Sequence, residues 1–149
     1  MPKSMIKIVK RLAMAAFGIL LITFICSMLT PYKRISHYIN RNHENLELAC
    51  EGYLVSGETD KEYDGIDIQG IFGLDKKIVQ FYYTGFGIAP SSKYYGFYYS
   101  PADIPVCYCN DRFHLNEITN DEWNWNGDGD NGGIIRKIRD KWYYYEAWF

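Results

Sequence analysis

Three hydrophobic patterns follow one another along this chain. The first is continuous. Leu12 to Leu29 reads LAMAAFGILLITFICSML, eighteen positions without a charge, behind Lys3, Lys7, Lys10 and Arg11. As a helix it would rise about 27 Å, close to the roughly 30 Å hydrocarbon core of a bilayer. The pattern predicts a transmembrane anchor over residues 12–30, with the lipid bilayer as its partner, after a basic cytoplasmic start at 1–11. A cleaved signal peptide is the competing reading, but its apolar run is usually about 7–15 residues and ends in a small-x-small site. Here Met28 and Leu29 stand between Ser27 and Thr30, and the bulky Phe24 and Ile25 before Cys26 argue against lipoprotein processing. Four basic residues precede the segment, and Lys33, Arg34 and Arg41 follow it. By that narrow margin the positive-inside bias puts the N-terminus in the cytoplasm and the rest of the chain outside.

The second pattern is helical. Residues 31–42 read as a polar neck, with Ile35 to Asn42 continuing the helix outward from the membrane. Asn42 then has the character of an N-cap, with Glu44 in the first turn to complement the dipole. Leu46, Ala49, Cys50, Tyr53 and Leu54 recur at helical spacing until Gly57. One apolar stripe of this kind suits a helix lying on a sheet.

The third pattern is alternation broken by turn residues. After an acidic turn at Glu58 to Asp64, strands are expected at Ile66 to Phe72, Ile78 to Thr84, Lys93 to Ser100, Arg112 to Ile118, Trp123 to Trp125, Ile134 to Arg139 and Trp142 to Phe149. Val106 to Cys109 beside Pro105 reads as a short edge piece. Hairpin turns are expected at Gly73-Leu74-Asp75 before Lys76-Lys77 and at Asp140-Lys141, and loops at Gly85 to Ser92 and Asn126 to Gly133. The predicted fold class is α+β: an N-terminal transmembrane helix, then one amphipathic helix packed on a mostly antiparallel β-meander sheet of about five to seven strands. Residues 43–149 would form a single small α+β extracytoplasmic domain.

Composition narrows the function. Of sixteen basic residues four precede the anchor, so twelve face all eighteen acidic ones beyond it, a net charge near −6. A basic nucleic-acid footprint is absent, and no nucleic-acid partner is expected. All fourteen tyrosines lie beyond residue 31, often adjacent: Tyr82-Tyr83, Tyr94-Tyr95, Tyr98-Tyr99, Tyr143-Tyr144-Tyr145. Strand geometry sends neighbours to opposite faces, so each pair is expected to give one ring to the core and one to the surface. That follows from β propensity alone, although exposed aromatics are also enriched at interfaces.

Candidate chemistry is sparse. Cys107 and Cys109 share a strand face and are too close in sequence to bond each other, while Cys50 could reach either in an oxidising compartment. Three cysteines with His37, His43 and His114 lack zinc-ligand spacing. Asn124, Asn126 and Asp128 with Gly129 and Asp130 resemble half an EF-hand loop, but Ile135 occupies the position of the bidentate Glu. A hairpin loop using Asn, Asp and Gly for positive φ accounts for it better. Ser91-Ser92 lack a nucleophile elbow, His114 fits a half-exposed strand position, and Asp121-Glu122 fit a solvated turn. No Gly loop with Lys-Ser or Lys-Thr is present. No catalytic residue, cofactor site or metal site is expected.

KYYGFYYSPADIP (Lys93 to Pro105), and WNGDGDNGG followed by KWYYYEAWF (Trp125 to Phe149), resemble a set of small, uncharacterised, membrane-anchored, tyrosine-rich proteins of Gram-positive anaerobic bacteria. The resemblance covers roughly the last 85 residues, as judged from pattern. It implies an envelope setting and carries no activity. The expected function is non-catalytic binding of an unknown protein or cell-wall partner. The surface would comprise Tyr95, Phe97 and Tyr99 on one strand with Trp123, Trp125, Asp128 and Asp130 nearby. An immunity-type inhibitor of a basic toxin and a wall glycan- or peptide-binding module are the alternatives, with a hydrolase behind them.

Overall fold

The computed structural model describes residues 3–28, 30–57, 70–74, 78–88, 91–108 and 113–149. The acidic turn at Glu58 to Asp64, the start of the expected strand at Ile66, Lys76-Lys77 and Cys109 lie outside them. Two compact units are distinguished, Met1–Arg34 and Ile35–Phe149.

The first unit contains helix α1 (Lys3–Met28). Leu12, Met14, Phe17, Ile19 and Leu20 are exposed along it, and Thr23 Oγ1 donates back to the Leu20 carbonyl at 2.9 Å. The transmembrane helix expected over 12–30 is not supported. Among the described residues no helix is long and apolar enough to cross a membrane.

Helix α2 (Pro31–Ser56) starts eleven residues before the expected cap at Asn42. Pro31 suits a first helical position, where its missing N–H costs nothing. Asn42 lies inside the helix, its Nδ2 donating to the Tyr38 carbonyl at 2.9 Å. Gly57, at φ 72°, ends it in the left-handed conformation that glycine adopts without strain. Ile35, Tyr38, Ile39, Leu46 and Cys50 are buried, so the apolar stripe runs back through the stretch read as a polar neck.

Seven strands follow: β1 (Gly70–Leu74), β2 (Ile78–Ile88), β3 (Ser91–Tyr99), β4 (Asn116–Thr119), β5 (Glu122–Asn126), β6 (Gly132–Arg139) and β7 (Trp142–Trp148). They make one antiparallel sheet in the order β1-β2-β3-β7-β6-β5-β4. Two meanders, β1-β2-β3 and β4-β5-β6-β7, are thus joined through a β3–β7 pair far apart in sequence. The loop expected over 85–92 is largely strand, because β2 and β3 pair out to Ile88 and Ser91. The edge strand expected at 106–109 is absent over its described residues: Val106, Cys107 and Tyr108 cross a sheet face without joining it.

That crossing explains the tyrosines. On one face α2 packs over Val79, Phe81, Phe97, Tyr99 and Trp142, with Tyr38 against Phe97 and Phe81 stacked on Phe97 at 4.6 Å. On the other face Val106, Cys107, Tyr108, Phe113 and Leu115 cover Tyr98, Tyr143, Tyr145, Ile135 and Trp125. Tyr98-Tyr99 and Tyr143-Tyr144-Tyr145 do alternate, but both faces are covered there and all five rings are buried. Cys50, on α2, and Cys107, on the opposite face of the sheet, are both buried and do not bond each other.

Two polar clusters tie these layers together. Asp103, held at φ 53°, accepts from Lys137 Nζ (2.6 Å), the Lys141 amide (2.8 Å) and the Tyr143 hydroxyl (2.8 Å). It therefore clamps the segment after β3 to the β6–β7 turn at Asp140-Lys141, where Lys141 itself has φ 68°. On the helix side, the Tyr99 hydroxyl lies 3.0 Å from Glu47 Oε1 and 3.2 Å from Glu51 Oε1, and Lys141 Nζ bonds Glu47. The Lys141 ammonium holds the Glu47 carboxyl below its ordinary range. Burial, followed by its bond to Glu47, pushes the Tyr99 phenol far up.

Candidate functional site

Helix α2 covers only one end of its sheet face. The remainder, across β2, β3, β7, β6 and β5, presents a row of residues in direct register: Thr84, Tyr95, Glu146, Ile134, Asn124 and, on edge strand β4, Asn116. All six are half-buried or exposed. With strands about 4.8 Å apart, the stretch from Tyr95 to Asn124 spans about 14 Å.

Aromatic rings and fixed charges flank the row. Phe86, 65% exposed, stacks on Tyr95 with centroids 6.0 Å apart. Lys93 Nζ lies 3.4 Å from Glu146 Oε1 and 5.6 Å from the centre of the Trp148 ring. On the other side Arg136 Nε donates to Glu122 Oε2 at 2.8 Å, and this bond raises the guanidinium's pKa further. Asn116 Nδ2 donates to Asn124 Oδ1 at 3.4 Å. Burial and then the nearby Glu146 carboxylate shift the Tyr95 phenol upward, so its hydroxyl stays a donor at neutral pH.

The Gly132-Gly133 doublet, expected at the end of a loop, is the start of β6 and sets the relief of both faces. A Cβ on Gly132 would come within 2.9–3.0 Å of the Trp148 ring, and one on Gly133 within 2.6 Å of Trp125 Cε2 on the opposite face. Two indoles therefore lie against the bare backbone of β6, one on each side. Trp148 is left half-buried on the open face, a flat ring beside the Glu146 carboxylate.

The seven residues expected to form a binding surface are distributed over three places. Tyr95 is on the open row. Phe97 and Tyr99 share its strand face but are fully buried at the α2 end. Trp123 and Trp125 are on the opposite face, where Trp125 is fully buried and stacked on Phe113 at 4.9 Å. Asp128 and Asp130 are exposed in the β5–β6 loop, which closes through the Gly127 amide donating to the Asn131 carbonyl at 2.9 Å. Among the described residues no group of three or more His, Cys, Asp or Glu side chains is placed to hold a metal ion. Lys93, Glu122, Asn124, Arg136, Glu146 and Trp148 were not anticipated as site residues. The shared face of Trp142, Tyr144, Glu146 and Trp148 was readable from alternation, but their register against Tyr95 was not.

Comparison with family models, with curated proteins and with solved structures finds no match.

Proposed function

We propose that Ile35–Phe149 is a non-catalytic binding domain that engages an envelope partner, a wall component or another protein, through the open part of the α2 face. The observation that supports this is the combination of Phe86, Tyr95 and Trp148 with two internally satisfied ion pairs on one uncovered stretch of sheet. Aromatic rings held in place by neighbours supply large contact area at low entropic cost, a property of interface anchors. The charges there are also self-neutralising, Lys93 with Glu146 and Arg136 with Glu122. That favours an uncharged partner surface over a basic toxin, whose capture would call for unpaired carboxylates. Asp128 and Asp130 are the exposed acids an inhibitor of that kind could use instead.

The test is retention of the full-length chain on purified, insoluble bacterial cell wall, compared with Tyr95→Ala, Trp148→Ala and Asp128→Asn/Asp130→Asn variants. Retention lost in the first two and kept in the third supports the reading. Dependence on the aspartates, with loss at high salt, would move the site to the β5–β6 loop and favour the inhibitor.

A further inference from the structure

We infer that the open face takes an uncharged, unbranched glycan chain laid across the strands, with sugar rings stacked on Tyr95 and Trp148. The inference rests on the binding face proposed above and narrows its ligand to one class. The sheet's hydrogen bonding carries the first argument. Strands β3, β7, β6 and β5 are each paired on both sides, so their main-chain groups are engaged in ladders. An extended peptide draws its affinity from free main-chain groups at a sheet edge, and none is offered on this face. A ligand lying here is held by ring stacking and by side-chain hydrogen bonds.

The side chains present match a polyhydroxylated chain. The C–H face of a pyranose is apolar and meets an aromatic ring flat, and Trp148 is held flat because Gly132 has no side chain beneath it. Vicinal hydroxyls pair with planar groups bearing two polar atoms, which Glu146, Glu122, Arg136 and Asn124 supply. Those groups are already oriented by their partners at 2.8–3.4 Å, so little rotamer freedom remains to be lost on binding. Successive row positions recur at the strand spacing of about 4.8 Å, similar to the length one sugar ring adds to an extended chain. The charges of the open row are paired with each other, Lys93 with Glu146 and Arg136 with Glu122, which suits a neutral glycan and disfavours a polyanionic one.

The experiment titrates the full-length chain with an N-acetylglucosamine hexasaccharide and with cellohexaose at low and high salt, read by tryptophan fluorescence and calorimetry. Expected are saturable binding of at least one hexasaccharide, indifference to salt, and about tenfold weakening in Tyr95→Ala and Trp148→Ala. Because Trp148 also covers Gly132, Phe86→Ala and Asn124→Ala provide a second, less intrusive pair expected to weaken binding in the same direction. Leu48→Ala, on the exposed side of α2, should leave it unchanged. Absence of binding to both hexasaccharides overturns the glycan inference. If wall retention still depends on Tyr95 and Trp148, the binding face survives that result. If binding and retention both persist in every face variant, the inference and the face fall together.

Discussion

Asp103 is a single side chain on which the closure of the sheet's second covered face depends. Its carboxylate accepts three hydrogen bonds, from Lys137, the Lys141 amide and Tyr143. Each contributes about 1 kcal/mol net once its partial exposure to water is allowed for. In Asp103→Ala all three are lost, and alanine at φ 53° adds about 1 kcal/mol of left-handed strain. The expected loss is about 3–4 kcal/mol, a large share of the roughly 5–15 kcal/mol that stabilises a domain of this kind. Asp103→Asn keeps an acceptor for the Lys141 amide and Tyr143 and tolerates the left-handed backbone, so it should cost about 1 kcal/mol. Asp103→Gly loses the bonds without the strain and should fall about 1 kcal/mol short of the alanine loss. Urea unfolding followed by tryptophan fluorescence reads all three, since every tryptophan lies in the Ile35–Phe149 unit. The reasoning is refuted if Ala costs under about 1 kcal/mol, or if Asn is as damaging as Ala at an unchanged m-value. Acid gives a second reading. Burial pushes the Asp103 carboxyl up, but the bonds from Lys137, Lys141 and Tyr143 together outweigh it and hold the group below its ordinary 3.8. Its contribution is therefore fully present above that pH and lost as pH falls through the lowered folded value. Asp103→Asn should flatten that part of the acid limb.

Other outcomes follow from the packing. Gly96→Ala should destabilise by about 2–4 kcal/mol in the same unfolding assay. Its Cβ would collide with the Phe81 carbonyl and the Tyr145 ring, displacing the buried Tyr145 hydroxyl bond to Phe81; a near-neutral result would show that β2 and β3 can separate without loss. Burial, with Glu47 and Glu51 adding to it, raises the Cys50 thiol far above its ordinary value. Cys50 should therefore resist alkylation at mildly alkaline pH until the domain unfolds, and rapid labelling of the native chain, read by mass spectrometry, would place α2 off the sheet. Tyr99→Phe should cost about 1 kcal/mol by removing the bond to the Glu47 and Glu51 carboxylates, while leaving oligosaccharide titrations unaltered.

Periodicity along the chain was enough to specify that an amphipathic helix and several antiparallel strands make an α+β unit. Alternation in WYYYEAW and the turn at Asp140-Lys141 placed β6 and β7 nearly where they lie, because both signals are local. What local signals cannot carry is register between strands distant in sequence. The pairing of Tyr95 with Glu146, and of Glu146 with Ile134, assembles the open row from three strands, and neither partner announces the other. Coverage is equally non-local. Phe97 and Tyr99 are as aromatic as Tyr95, yet α2 buries the first two and leaves the third half-open. The Val106-Cys107-Tyr108 segment covers Tyr98, Tyr143 and Tyr145, so rings on both faces of that part of the sheet are buried. The glycines of Gly132-Gly133 read as loop formers, and only the Trp148 and Trp125 rings lying against them show why a side chain there is excluded. Amino-acid pattern decided which residues could be rings on a strand face; tertiary packing decided which of those rings water, or a ligand, can reach.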